Sequence, residues 1–146
     1  MPNKIDSAKR VISGTWGEAW LNGEKVAECY GAQAKVTADK EEISMCGRMM
    51  SDHKVMGLSG QGSLRFHKVS SRMGELLGEA MKNGSDPRFT IVLKLEDPDA
   101  YGAERVALFN VSFDDLTLMD WEAKTVGKVE CPFTFSDFKY LDKIPA

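Results

Sequence analysis

The chain has 146 residues, 42% of them hydrophobic and 28% charged, with a formal net charge of −3. That length suits one domain whose core needs neither disulfides nor a metal, and the composition excludes global disorder. The acidic balance argues against a general nucleic-acid binder, and no apolar run reaches the ~18–20 residues of a membrane helix.

The first ten residues are polar and lack the form of a signal peptide. No repeat or linker divides the chain, so residues 1–146 read as a single domain. Strand patterns dominate it. Residues 14–21 carry Trp16, Ala19, Trp20 and Leu21, and Asn22-Gly23 suits the two positive φ angles of a type I′ turn. The turn leads into a second run, 25–36, predicted as the other half of a hairpin. There Val26, Tyr30, Ala32, Ala34 and Val36 share parity, while Lys25, Gln33 and Lys35 take the other face. A period of two predicts a half-buried strand.

Residues 37–56 break that pattern. Asp39, Lys40, Glu41 and Glu42 come first, then Ile43, Met45, Met49, Met50, Val55 and Met56 mixed with Gly47, Arg48, Ser51, Asp52 and His53. This segment reads as a long loop or hairpin carrying more methionine than a polar linker needs. Residues 57–69 resume as a strand, in which Gly60 and Gly62 allow close backbone approach or a bulge.

One helix is predicted. Ser71 can cap it, Met73, Leu76, Leu77, Ala80 and Met81 recur at helical spacing, and Asn83-Gly84 ends it. Gly74 and Gly78 inside it point to packing against a close neighbour. Phe89, Ile91, Leu93 and Leu95 then mark one face of a strand over 88–95. Residues 103–113 alternate with partly apolar character on both faces, as in a central strand. Runs 116–124 and 128–135 complete the expected sheet, with Pro132 at an edge or a bulge. The predicted fold is mainly β, a sandwich or barrel-like sheet with one flanking α-helix.

The chain carries no catalytic constellation. His53 and His67 lie in different elements, away from ligand spacing, and neither CxxC nor HExxH occurs. Cys29 and Cys131 fall in strands, where a thiol acts as a small hydrophobe. Together with Cys46 they are odd in number and far apart, which suits free thiols in a reducing cytosol. No catalytic, cofactor-binding or metal-ligating residue is assigned, and no cofactor. The glycines of 57–62 have the wrong order for a phosphate-binding turn, and a strand follows them instead of a helix. Trp16, Trp20 and Trp121 suit core or interface packing better than base stacking, since no basic groove surrounds them. Four of the 8 methionines crowd into 45–56. Flexible thioethers suit a surface that repacks against a partner, or a loop folded back on its own barrel.

Several stretches carry a resemblance. They are residues 13–28 around Trp16-Gly17-Glu18-Ala19-Trp20-Leu21-Asn22-Gly23, then Val69-Ser70-Ser71-Arg72, Asp86-Pro87-Arg88-Phe89-Thr90-Ile91 and Gly102-Ala103-Glu104-Arg105-Val106. Phe113-Asp114-Asp115-Leu116 and Pro132-Phe133-Thr134-Phe135 follow in order. Together they resemble the tail tube (core tail) proteins of contractile phages and PBSX-like defective prophages. The resemblance implies a structural protein, not an enzyme, whose hexameric rings stack into the inner tail tube. Expected partners are a sheath outside, a tape-measure protein inside, and baseplate and tail terminator proteins. DNA is expected only as non-specific cargo, and no membrane partner is expected.

The implied location is a virion tail or phage-tail-like particle assembled in the bacterial host cytoplasm. Residues 37–56 would then reach a neighbouring subunit, through Ile43, Met45, Met49, Met50, Val55 and Met56. Glu28, Glu96, Glu104 and Asp120 are the acids expected to face the lumen, where negative charge repels DNA phosphates. The alternative is a small β-barrel ligand-binding module, or a secretion-type tube carrying an effector.

Overall fold

In the computed structural model, which describes residues 5–145, Asn22 and Gly23 take φ angles of 51° and 86°. They form the type I′ turn expected of Asn-Gly. Residues 1–4 and 146 lie outside the described residues, and with them part of the polar first ten residues and the ends of the 1–146 span.

The turn joins β1 (Gly17–Leu21) to β2 (Glu24–Lys25), which pair at only two positions. This corrects the hairpin predicted over 14–36. Gly14–Trp16 is a 3₁₀ turn, and β1 is held along its whole length by β5 (Phe89–Leu95) instead. The second run becomes β3 (Cys29–Ile43), which leaves β1 and pairs with β4 (Asp52–His67). Of the loop or hairpin expected over 37–56, the structure forms the hairpin. Both strands run into the segment, leaving a turn of only 44–51 at its tip.

The helix α1 (Arg72–Lys82) ends as expected. Gly84 has φ 73°, its N–H donates to the Met81 carbonyl at 3.2 Å, and the Ser85 N–H donates to Ala80 at 2.8 Å. That is a Schellman ending, which satisfies two carbonyls the helix leaves open. Two expectations fail here. The Ser71 side chain makes no capping bond, and a Cβ added at Gly74 or Gly78 would meet nothing within 4 Å. Neither glycine serves close packing. Only Met73 and Leu77 reach the core, so the buried stripe is narrower than the five-residue pattern implied.

Beyond the helix, β6 (Glu104–Phe113) pairs with β5 on one side. On its other side it pairs first with β8 (Asp137–Asp142), then with the end of β7 (Lys128–Phe135). β7 and β8 thus behave as one strand broken at Ser136. Opposite the break, Asn110 takes φ 57° and donates to Ser136 Oγ at 2.9 Å. On the β5 side the register shifts between Phe89 and Ile91, which puts one extra residue in β6 there, a bulge that bends the sheet. Residues 116–124 form no strand, a correction with a simple cause: β8, which was not predicted, occupies the edge of β6. Pro132 sits where the β6–β7 pairing stops, its carbonyl accepting from the Asp114 N–H at 2.9 Å. Its missing N–H costs no ladder bond there.

All pairings are antiparallel, in the order β2-β1-β5-β6-β7-β4-β3 with β8 beside β6. The fold is mainly β, a bent sheet curling into a barrel-like sandwich with one flanking helix. A chain of rings runs through its core: Phe89 to Phe113 at 5.4 Å, Phe113 to Phe133 at 6.0 Å, and Phe133 to Phe135 at 6.2 Å. Glycines make room for them. A Cβ at Gly60 would lie 2.5 Å from the Phe135 ring, and one at Gly62 would collide with the Gln33 carbonyl and the Phe133 ring. Gly60 and Gly62 are packing residues, close to where β4 parts from β7, whereas a Cβ at Gly57 would meet nothing within 4 Å.

Candidate assembly interface

β4 pairs with β7 only from Gly60 to His67. Beyond Gly60, β3 is the sole strand partner of Asp52–Ser59 among the described residues, so the β3–β4 hairpin leaves the sheet as a two-stranded ribbon. The ribbon spans seven residues of β3 past Val36, roughly 20–25 Å. A register shift opposite Asp39 and Lys40 marks a bulge at Met56, which adds twist. The tip turns on Gly47, with φ 82°.

The six residues expected at an interface, Ile43, Met45, Met49, Met50, Val55 and Met56, all lie on this ribbon and are all exposed. Met49 and Met50 are 102% and 79% exposed, so the loop does not fold back on its own barrel. Leu58 and Val36 extend the apolar surface toward the core. The parity pattern of 25–36 also reappears here, but its burial does not. Val26 is buried, whereas Tyr30, Ala32, Ala34 and Val36 stay open to solvent. An alternating strand face with no cover within the chain matches a surface filled by another chain.

The four acids occupy different surroundings. Glu28 accepts from Arg72 Nε at 2.8 Å and is largely buried; Arg72 also reaches Glu24 at 3.7 Å. Burial alone would push the Glu28 carboxyl up, but the Arg72 hydrogen bond and charge outweigh it and hold the carboxyl below the usual range. Glu96 is exposed and pairs with Lys94 at 2.6 Å, which lowers its pKa. Glu104 opens β6 at the same end of the sheet as Glu96 and lines a cleft. Asp120 lies exposed in the irregular stretch 114–127, and the geometry does not gather Glu28 and Asp120 with the other two.

That cleft, of about 620 Å³, lies between β1, β5 and β6 on one side and the start of β3 on the other. Its lining includes Ala19, Leu93, Leu95 and Val106, with Glu18 and Arg65 among its charged groups.

A sequence comparison decides the family. Residues 5–142 match the family described as "Phage tail tube protein". The chain belongs to the phage tail tube protein family. Its relative XkdM, the PBSX phage-like element protein of Bacillus subtilis (strain 168), is 37% identical over 140 residues, 94% of this chain and 95% of XkdM. The fold extends further. A chain in the cryo-EM structure of the PVC extracellular contractile injection system, in its extended sheath–tube complex, superimposes with a TM-score of 0.66. That match has 12% identity and covers 91% of this chain and 93% of the other. A chain in the anti-feeding prophage tube-terminating cap reaches a TM-score of 0.72 at 12% identity, covering 96% and 97%.

In this phage tail tube family member, sequence reasoning missed a second apolar surface. Leu118, Met119, Trp121 and Val126 are exposed along 114–127, Trp121 to 78%. Of these, only Trp121 was singled out by the sequence, for core or interface packing. Of the thiols, Cys131 is buried and Cys29 half-buried in their strands, and Cys46 is exposed at the tip. Burial pushes the Cys131 thiol up to about 11, with Asp115 adding to the effect, and raises Cys29 as well. Neither is a ready nucleophile at neutral pH.

Proposed function

We propose that this chain is the tube protomer of a contractile tail or phage-tail-like particle, with no catalytic role. Six copies close a ring, rings stack, and the resulting tube serves as a conduit inside a sheath. A tape-measure protein occupies it during assembly, baseplate and terminator proteins bound its ends, and DNA passes only as non-specific cargo. Assembly takes place in the bacterial host cytoplasm.

The observation that carries this reading is the projecting ribbon. Two strands extended beyond their sheet, with exposed methionines and unpaired edges, are a liability in a monomer. In a closed ring the same features bury apolar area and pair edges without leaving an open end. The family relationship and the tube–sheath and cap contexts of the similar folds support the same reading.

Hydrogen exchange tests it. In the free protein the amides of 37–59 are expected to exchange well before those of β5 and β6, because only one partner strand holds them. In sedimented assemblies they are expected to slow toward the core. Equal protection of ribbon and core in the free protein, or no slowing on assembly, would count against the reading.

A further inference from the structure

Two features of this chain are complementary and lie too far apart to meet within one copy. The first is the hairpin tip, residues 44–51. It holds Met45, Met49 and Met50 around the Gly47 turn, with Arg48 as its only charged side chain. The second is the 620 Å³ cleft, a volume within the range of roughly 300–1,000 Å³ typical of sites that enclose a ligand. Its walls are apolar at Ala19, Leu93, Leu95 and Val106; Glu18 and Glu104 supply carboxylates, Arg65 and Lys94 supply cations, and Lys94 is held by Glu96 at 2.6 Å.

The charges match. Among the described residues Arg48 and Glu104 enter no ion pair, and Glu18 has only a 3.5 Å contact with Lys25. The distance then identifies the occupant. β3 leaves the cleft at Ala32 and runs eleven residues further to Ile43, roughly 36 Å at strand rise. A tip held that far from its own cleft can fill only that of another copy.

We propose that the hairpin tip of one copy seats in this cleft of a second copy, methionines against Leu93, Leu95 and Val106, and Arg48 toward Glu104 and Glu18. This inference rests on the tube-protomer reading and names the receptor for its ribbon. Methionine suits the role, since its unbranched thioether fills an irregular apolar space without a fixed shape. Arg48 placed against the two carboxylates would set the orientation of the tip more than the strength of the contact.

The exposed thiol of Cys46 makes the contact testable. Thr15 lies exposed on the cleft wall, outside every strand, and Thr15→Cys gives up only a methyl and an exposed hydrogen bond from Ser13 there. Assemblies of the full-length variant are treated with a short bismaleimide, and the products are mapped by peptide mass spectrometry. The expected result is a ladder of covalent oligomers joined through positions 46 and 15. Its yield should exceed that from Ser85→Cys, outside the cleft, by roughly tenfold, as expected for groups held at high effective concentration. Removing the native thiol with Cys46→Ser should abolish the ladder.

If Thr15→Cys does not fold, Ala32→Cys on the opposite wall serves the same purpose. Tubes that form without the 46–15 or 46–32 product would overturn the inference and leave the tube reading intact. A cleft that still binds an apolar dye in those tubes would assign it to a small molecule, which also overturns it. Failure of the unmodified protein to form rings or tubes, even on preformed tail ends, would overturn the tube reading and this inference together.

Discussion

Replacing Met49 and Met50 together with glutamate is expected to abolish tube growth while leaving the free protein folded. Both side chains are essentially free of contacts in the monomer, at 102% and 79% exposure. Exposed substitutions of this kind usually change stability by about 0.5 kcal/mol or less. The thermal midpoint and far-UV spectrum should therefore match the parent. In an assembled contact the arithmetic differs. Each methionine withdrawn from water contributes about 1.5–3 kcal/mol, and a carboxylate in its place would need a partner or a costly desolvation. Every copy carries the change, so the penalty recurs at each ribbon contact in a ring. Sedimentation and light scattering should show the variant as monomer at concentrations where the parent assembles. Assembly of the variant at the parent's concentration would remove the ribbon from the interface.

Phe133→Ala should act in the opposite way, destabilising the monomer itself. Phe133 is fully buried, touches the rings of Phe113 and Phe135, and fills the space over Gly62. Truncating such a ring removes its burial and leaves a cavity, a loss of about 3–5 kcal/mol. Domains of this size are stable by only about 5–15 kcal/mol, so much of the total is at stake. Equilibrium unfolding in urea would show the midpoint falling with an unchanged slope. A shift smaller than about 1 kcal/mol would mean that neighbouring residues collapse into the gap, contrary to the close packing described here. The pair of variants separates two kinds of apolar side chain. Phe133 holds the fold, whereas Met49 and Met50 are proposed to serve assembly.

That separation was partly legible in the sequence. The Asn22-Gly23 turn, the Asn83-Gly84 helix end and strands β5, β6 and β7 follow from local chemistry, since a turn residue or a clean alternation needs no distant partner. Which strands pair is a different matter. Residues 14–36 read as one hairpin because the turn favours it, yet β3 pairs with β4, where Gly60 and Gly62 admit the Phe135 and Phe133 rings. Phe138 and Tyr140 carried the alternation of β8, but the strand follows β7 after a single residue and shows no turn signal.

The proposed interface was legible in one respect and hidden in another. A cluster of methionines in a charged segment marks a surface without requiring any knowledge of packing. By contrast, the cleft is assembled from β1, β3, β4, β5 and β6, and no local pattern announces it. The exposed Leu118, Met119, Trp121 and Val126 were hidden for a similar reason, since their exposure depends on β8 occupying the edge of β6.

The most direct measurement is electron microscopy of the concentrated full-length protein, alone and with preformed tail ends, with light scattering on the same samples. Six-fold rings, or tubes of uniform width built from them, are the predicted result. A protein that stays monomeric at every concentration, and fails to extend added tail ends, would contradict the account.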